Sequence, residues 1–248
     1  MTQYGKSEMK EYIVNNKTVK VNVFESVRDV NDAYFLGYLF GDGGYHQPTH
    51  KRNHRIYVSS TDVGIIDDFV EYYQPLTNPV LREANSNLER GIIGRKSYKS
   101  FVLSSKFSDS LVKYGVMCVK KDRIFQNIPK KYFRAFLLGL FDADGCVTWG
   151  RRKDRNRLWA NFLITHASLE MLVKVQRWLV EDFGISTFVS PKGNDEKCFV
   201  LKTSDRNSVS KLYTELYSEL PFTYSKIKHK HYTDFVNEFS VCHLNGLK

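Results

Sequence analysis

The feature that most constrains this chain is a short glycine-containing segment that occurs twice, about a hundred residues apart. The first copy, residues 35–44, reads FLGYLFGDGG, and the second, residues 136–145, reads FLLGLFDADG. Small residues four positions apart lie on one face of a helix and allow a second backbone to approach closely. The two copies therefore predict two helices that pack against each other. The small residues predicted at this helix interface are Gly37, Gly41, Gly139 and Ala143.

Each predicted helix ends in an aspartate, Asp42 in the first copy and Asp144 in the second. A helix C-terminus has unpaired carbonyl oxygens and a partial negative charge, so another carboxylate is unfavourable there unless a cation binds. Carboxylate and carbonyl oxygens are ligands of hard cations such as Mg²⁺, which also bind phosphate groups. The pattern predicts a divalent-cation site between the aspartates, suited to phosphoryl chemistry. Gly145 is expected to end its helix in a left-handed conformation.

A longer duplication surrounds the two copies. The strand-like segment SFVLSS at 100–105 matches CFVLKT at 198–203, an offset of 98 residues, and Asp144 follows Asp42 by 102 residues. One structural unit of about a hundred residues is therefore predicted to occur twice. We divide the chain into an N-terminal extension (1–31), a first repeat (32–128) and a second repeat (129–248).

The helix boundaries of the motifs can also be predicted. Asn31 or Asp32 is a suitable N-cap for the first motif helix, and Pro129 suits the first turn of the second. Apolar residues after each motif recur in the order strand, helix, strand, helix.

The charge of the chain favours a polyanionic partner. Lys and Arg number 37 against 27 Asp and Glu, which gives a formal charge of +10 and a pI near 9.3. Nucleic acid is the first candidate and an anionic membrane surface the second. No apolar run is long enough for a membrane span or a secretory signal, so the expected location is intracellular, in cytoplasm, nucleoid or organelle matrix. Four widely spaced cysteines are interpreted as reduced thiols rather than zinc ligands.

Basic segments at 51–55 and 151–157 follow the two motifs at the same place in each repeat. Such segments are often solvated loops, but this repeated placement favours contact with a nucleic-acid backbone. Polar strand residues beside them are candidates for reading bases. The predicted DNA-contacting residues are His46, Gln47, Lys51, Arg52, His54, Arg55, Arg95, Lys99, Arg151, Arg152, Lys153, Arg155, Arg157, Asn161, Lys192 and Lys202.

Residues 35–43 and 137–145 resemble the LAGLIDADG signature, and the second copy, LLGLFDADG, is close to consensus. Over about residues 32–240 the chain is similar to the monomeric, two-repeat homing endonucleases of that family. The resemblance implies an α+β fold of two pseudo-symmetric α-β-β-α-β-β-α units, with the motif helices at the centre. Each unit's curved antiparallel sheet would lie along the major groove of double-stranded DNA at a long, near-asymmetric target site.

The same resemblance implies roles for particular residues. Asp42 and Asp144 would be catalytic and bind Mg²⁺, with Mn²⁺ as a substitute, and the carbonyls of Gly41 and Ala143 would complete the metal shell. The two strands would be cut to leave 3′ overhangs. Family lysines near the scissile phosphates are matched here by Lys120 and Lys228.

Two assignments remain open in the sequence. Lys121 and Lys226 are alternatives to the two catalytic lysines. Phe40 stands where the second motif has Asp142, so the two halves are expected to differ, although Asp42 keeps its predicted metal role.

The alternative function is a nucleic-acid-binding protein on the same fold that does not cut, either a group I intron RNA maturase or a DNA-binding regulator. The presence of both Asp42 and Asp144 favours cleavage, because binding alone does not need paired acids.

Overall fold

A computed structural model describes residues 10–14, 17–21, 24–46, 55–73, 98–152, 157–193 and 195–244. Its first element is an antiparallel hairpin of strands β1 (Lys10–Val14) and β2 (Lys17–Val21). This hairpin lies in the predicted N-terminal extension, residues 1–31.

The described part of the first repeat contains the elements α1 (Val30–Asp42), β3 (Gly43–His46), β4 (Arg55–Ser60), α2 (Val63–Tyr73), β5 (Tyr98–Leu103) and α3 (Ser105–Lys113). Its three strands form an antiparallel sheet in the order β3-β4-β5. Residues 74–97, between α2 and β5, lie outside the described residues.

The second repeat has a four-stranded antiparallel sheet in the order β6-β7-β9-β8 and one helix more than the predicted unit. Its elements are α4 (Phe133–Asp144), β6 (Gly145–Arg151), β7 (Leu158–His166), α5 (Leu169–Phe183), β8 (Phe188–Lys192), β9 (Asp195–Thr203), α6 (Arg206–Leu216) and α7 (Lys226–Leu244). The predicted α+β class is confirmed, and this half follows the α-β-β-α-β-β-α order before α7 is added.

Helices α1 and α4 form the centre of the molecule. Every residue from Asn31 to Gly41 is buried, as is every residue from Ala135 to Asp142. A helix that is buried on all sides has to pack against neighbours all round it, and these two helices pack against each other as well as against the sheets. We call the contact between α1 and α4 the seam.

The two helix starts differ from the predictions by a few residues. Asp29, rather than Asn31 or Asp32, caps α1, because its carboxylate accepts the backbone N–H groups of both of those residues, at 2.8 and 2.9 Å. Pro129 precedes a short 3-10 turn of three residues, and α4 begins only at Phe133.

The strand register corrects the alignment of the two repeats. Val58 and Ile164 are equivalent, since each pairs with the glycine that directly follows its motif aspartate. Val58 also pairs with Ser100, and Ile164 with Leu201, so the last strands correspond with an offset of 101 residues. The predicted match of 100–105 to 198–203 was wrong by three residues. Because strand side chains alternate, an odd error exchanges the buried and outward positions.

In the described part of the chain, no helix has the length and apolar character needed to cross a membrane. All four cysteines are free thiols, as predicted.

Candidate active site

The seam is held together by very close backbone approach at two glycines. A β-carbon added to Gly37 would lie 1.9 Å from the carbonyl oxygen of Phe136, and one added to Gly139 would lie 1.9 Å from that of Tyr34. No larger side chain fits at either position unless the helices move apart. The structure thus places Gly37 and Gly139, two of the predicted interface residues, where the helices approach each other closely.

The other small pair brings the two helix ends together. A β-carbon on Gly41 would lie 2.4 Å from Cβ of Ala143 and 3.1 Å from Cγ of Asp144. The carboxylate that ends α4 therefore lies directly against the last turn of α1, beside Asp42. The two aspartates meet at one end of the seam, as the motifs predicted.

The prediction of a left-handed cap at Gly145 was wrong. Gly145 has φ −100° and ψ 163°, and Gly43 after the first motif has φ −129° and ψ −171°, both extended. Each chain passes directly from helix to strand. Gly145 is needed for space, because a β-carbon there would lie 2.7 Å from the carbonyl oxygen of Phe141.

A lysine occupies the end of α4 in place of such a cap. Nζ of Lys228 donates to the carbonyl oxygens of Phe141, Asp142 and Gly145 at 3.0, 2.7 and 2.7 Å. A cation at this position is favoured by the helix dipole and by the unpaired carbonyls. Burial lowers the pKa of Lys228, and the nearby carboxylate of Asp142 opposes that shift.

Arg123 binds the carbonyl groups at the end of α1 in the same way. Its Nη1 donates to the carbonyls of Leu39 and Phe40 at 3.1 and 2.6 Å, and its Nη2 donates to that of Gly43 at 2.9 Å. These three carbonyls lie 102 residues before those that Lys228 binds, so Arg123 is the pseudo-symmetric counterpart of Lys228. The side chain is 2% exposed.

Arg123 was missed in the sequence analysis, which paired Lys228 with Lys120. A usable signal was present, since Arg123 closes the basic segment KKDR at 120–123 that precedes the second motif. Lys120 instead contacts the opposite half: its Nζ lies 2.8 Å from Oδ2 and 3.1 Å from Oδ1 of Asp144. The alternatives Lys121 and Lys226 are both exposed.

The two aspartates are electrostatically strained. Burial and the charge of Asp144 raise the pKa of Asp42 to about 6, although Lys120 and Lys228 oppose the shift. Burial also raises the pKa of Asp144, opposed chiefly by Lys120. Two partly buried carboxylates at adjacent helix C-termini gain stability from a bound cation, so this donor set fits a hard divalent ion. In the described part of the chain no cluster of three or more His, Cys, Asp or Glu side chains could hold a metal ion.

Asp142 has a different role from the two terminal aspartates. Its Oδ2 accepts the hydroxyl of Tyr34 across the seam at 2.9 Å and the backbone N–H of Ser225 at 2.7 Å. Ser225 directly precedes α7, so Asp142 fixes the start of the helix that carries Lys228. Phe40, the equivalent residue in the first motif, packs edge-on against Phe136 at 5.5 Å between ring centroids.

The predicted DNA-contacting residues fall into several groups. Lys99, Asn161 and Lys202 alternate with buried strand residues and so lie on the outward faces of the two sheets. His46 ends β3 and Arg55 begins β4. Arg152, Arg157 and Lys192 are exposed at strand ends. Seven predictions lie outside the described residues: Gln47, Lys51, Arg52, His54, Arg95, Lys153 and Arg155.

Arg151 is placed on the opposite face of the second sheet. It pairs with Leu158, which is buried, and its Nε donates to Oε1 of Glu238 on α7 at 2.8 Å. Register therefore directs Arg151 toward the helices, and the outward face does not include it.

The fold and the seam define a two-repeat α+β protein with a pair of strained carboxylates between its halves. Residues 131–217 match the family model described as a LAGLIDADG-like domain. The homing endonuclease I-DmoI from Desulfurococcus mucosus is 27% identical over 192 residues, which cover 76% of this chain and 88% of that protein.

Solved structures agree with these sequence matches. The meganuclease I-AabMI bound to uncleaved DNA has a TM-score of 0.59 at 13% identity, over 88% of this chain and 92% of that one. The homing endonuclease I-SmaMI bound to cleaved DNA has a TM-score of 0.58 at 12% identity, over 86% and 90%. Residues 131–217 thus match the LAGLIDADG-like domain, and the chain as a whole has the fold of the LAGLIDADG homing endonucleases, as its two motifs predicted.

Proposed function

We propose that this chain is a site-specific endonuclease that hydrolyses both strands of duplex DNA with a divalent cation. The observation that carries the proposal is the meeting of Asp42 and Asp144 at one end of the seam, with raised pKa values. Carboxylates perturbed by burial and by each other are typical of catalytic sites. A purely structural pair of helices would be more stable without them.

The cation is proposed to be Mg²⁺, with Mn²⁺ as a substitute, held by Asp42, Asp144 and the carbonyls of Gly41 and Ala143. When bound, it supplies positive charge to the scissile phosphate and lowers the pKa of water. Glycine packing fixes the distance between the two carboxylates, so the seam itself sets the spacing of the site.

The lysines have separate proposed roles. Lys228 uses its Nζ to hold three carbonyls at the end of α4, which fixes the backbone around Asp144. Lys120 balances the charge of Asp144 and lies at the same end of the seam, where a scissile phosphate would bring further negative charge. Lys120 is therefore proposed to act on phosphate and solvent close to the site, whereas Lys228 is proposed to act through the backbone that it holds.

The substrate is proposed to be a long, near-asymmetric duplex site bound by one copy of the chain, with cuts that leave 3′ overhangs. The +10 formal charge supports a polyanionic substrate. Support also comes from the relatives, which are named endonucleases, and from neighbours whose structures contain DNA.

Selection from a pool of randomised duplexes tests the proposal. The protein is incubated with the pool in Mg²⁺, cut products are amplified and sequenced, and binding is measured separately in Ca²⁺. We expect one enriched target, cut on both strands in Mg²⁺ and Mn²⁺ and bound but uncut in Ca²⁺.

Binding to an enriched duplex without cutting in Mg²⁺ or Mn²⁺ would refute the endonuclease. The non-cleaving alternative would then stand, and preference for structured RNA over duplex DNA would identify its maturase form.

A further inference from the structure

The second repeat has an open pocket beside the end of strand β6 that is distant from the seam. Strand β9 leaves the sheet after Thr203, so β7 between Leu158 and Asn161 pairs with β6 alone. The space beside this stretch of β7 is a cavity of about 460 Å³. We call it the arginine pocket.

Three arginines from separate parts of the chain line this pocket. Arg152 and Arg157 flank the β6–β7 turn, where the backbone N–H of Arg152 donates to the carbonyl of Arg157 at 3.0 Å. Arg206, the first residue of α6, closes the other side.

The charge of the described lining is positive, since none of the described residues that line the pocket is acidic. The carboxylate that precedes Arg206 in the chain, that of Asp205, is the N-cap of α6 and accepts both the backbone N–H and the hydroxyl of Ser208 at 2.8 Å. Asp154, between Arg152 and Arg157, lies outside the described residues. Three guanidinium groups at one pocket favour a bound anion, and their planar fork suits phosphate oxygens.

The other lining groups suit a sugar-phosphate segment rather than a bare ion. Leu158 and Ala160 form a buried apolar floor, and the ring of Trp159 is 38% exposed. The hydroxyl of Ser204 donates to the side chain of Asn161 at 2.7 Å, which leaves the amide of Asn161 as a further donor. The volume exceeds what one phosphate group requires.

We propose that the arginine pocket is a phosphodiester subsite that grips the DNA backbone at the outer end of the second half-site. This inference rests on the DNA binding in the proposed function. Strand β6 runs from Gly145 beside the site to Arg151 beside the pocket, a span of about 20 Å at ~3.3 Å per residue. Along B-DNA that distance corresponds to about six base pairs, so the gripped phosphates lie about six to eight base pairs from the centre of the target.

Salt-dependent binding in Ca²⁺ tests the subsite. We expect Arg152→Gln, Arg157→Gln and Arg206→Gln each to weaken binding severalfold and to reduce the slope of log affinity against log salt by about 1. Arg177→Gln is the matched control, because Arg177 is an exposed arginine on α5 that does not line the pocket. Thermal unfolding checks that every variant is folded.

Replacing single DNA phosphates by uncharged linkages locates the position on the DNA that the arginine pocket contacts. Methylphosphonate linkages six to eight base pairs from the centre should weaken the wild type as much as Arg206→Gln does, and should have no further effect on that variant. The subsite is refuted if the two changes are additive, or if the pocket variants behave like Arg177→Gln. It is also refuted if pyrophosphate binding, measured by calorimetry, depends on Arg206 while the DNA salt slope does not, since the pocket would then serve a soluble anion.

The two proposals fail separately. If the wild-type protein binds its target but does not cut it, the endonuclease proposal is refuted. The subsite proposal is then still decided by the binding measurements on the arginine variants. A wild type that binds no duplex even at low salt refutes both.

Discussion

Tyr34 and Asp142 form a hydrogen-bonded pair across the seam, and the equivalent positions, 102 residues away in each case, hold Phe136 and Phe40. A buried carboxylate requires a donor, whereas an aromatic ring requires an apolar neighbour. A phenylalanine opposite Asp142 would leave the carboxylate without that donor. The departure at Phe40 is therefore one half of a matched exchange, and Asp42 is not affected by it.

His166 is a second residue that only the folded chain explains. It is 1% exposed, its Nδ1 accepts the backbone N–H of Ser168 at 3.0 Å, and its Nε2–H therefore donates to the carbonyl of Phe40 at 3.2 Å. Burial lowers the pKa of His166 to about 3 from 6.5. The ring is neutral in the folded protein, while the unfolded chain takes up a proton below pH 6.5.

We therefore expect acid to destabilise the protein through His166. A folded-state pKa below the unfolded value means that the stability contribution is complete above pH 6.5 and is lost as the pH falls toward 3. Between pH 7 and pH 5 the loss should be about 2 kcal/mol. Urea unfolding without divalent cations, compared between the wild type and His166→Asn, isolates it. If the free energy of unfolding of the wild type and of His166→Asn falls equally between pH 7 and pH 5, His166 is not held neutral.

The residues that sequence could predict are those fixed by local geometry. The interface glycines follow from helix periodicity, and Asp42 and Asp144 from their place at the ends of the two motif helices. The basic segment at 120–123 indicates a cation before the second motif, but the role of Arg123, like that of His166, depends on carbonyls at the end of α1 that come from a distant part of the chain.

Among the contacts between helices, the seam leaves no room for an added methyl group at its glycines. Gly139→Ala should lower the free energy of unfolding by about 3 kcal/mol or more, since its β-carbon meets a backbone carbonyl at 1.9 Å. Gly64→Ala is the control: Gly64 is also helical, and its β-carbon would meet only the side chain of Asp62 at 3.3 Å. The free energy of unfolding of this control should equal that of the wild type or exceed it by up to about 1 kcal/mol.

Denaturant unfolding of both variants measures the difference. Equal stabilities would contradict the close packing of α1 and α4 through their glycines.

The strands show where pattern reasoning fails at this scale. Val102 is buried and pairs with Ile56, whereas Val200, its partner in the letter-by-letter match, faces outward and pairs with Thr165. Strand identity was predictable from the apolar run, but register depends on pairing with β4 and β7. The same limit applies to Arg151, whose direction toward the helices depends on its pairing with Leu158.

At the scale of the whole molecule, the two halves share a plan but not their charges. Lys120 pairs with Asp144, while among the described residues no cation lies within ion-pair distance of Asp42. The hairpin before α1 and the helix α7 have no equivalents in the described part of the other repeat. The order of elements was predictable from the duplication, whereas these additions were not, because neither carries a repeated motif.

We propose that the seam forms one catalytic site from two carboxylates. Binding and cleavage of the selected target are to be measured with Asp42→Asn, Asp144→Asn and the control Asp234→Asn, an exposed change on α7. We expect each seam variant to bind the target as tightly as the wild type but to lose double-strand cleavage by at least about a hundredfold, while Asp234→Asn cuts normally. Cleavage of both strands at the wild-type rate by either seam variant would contradict it.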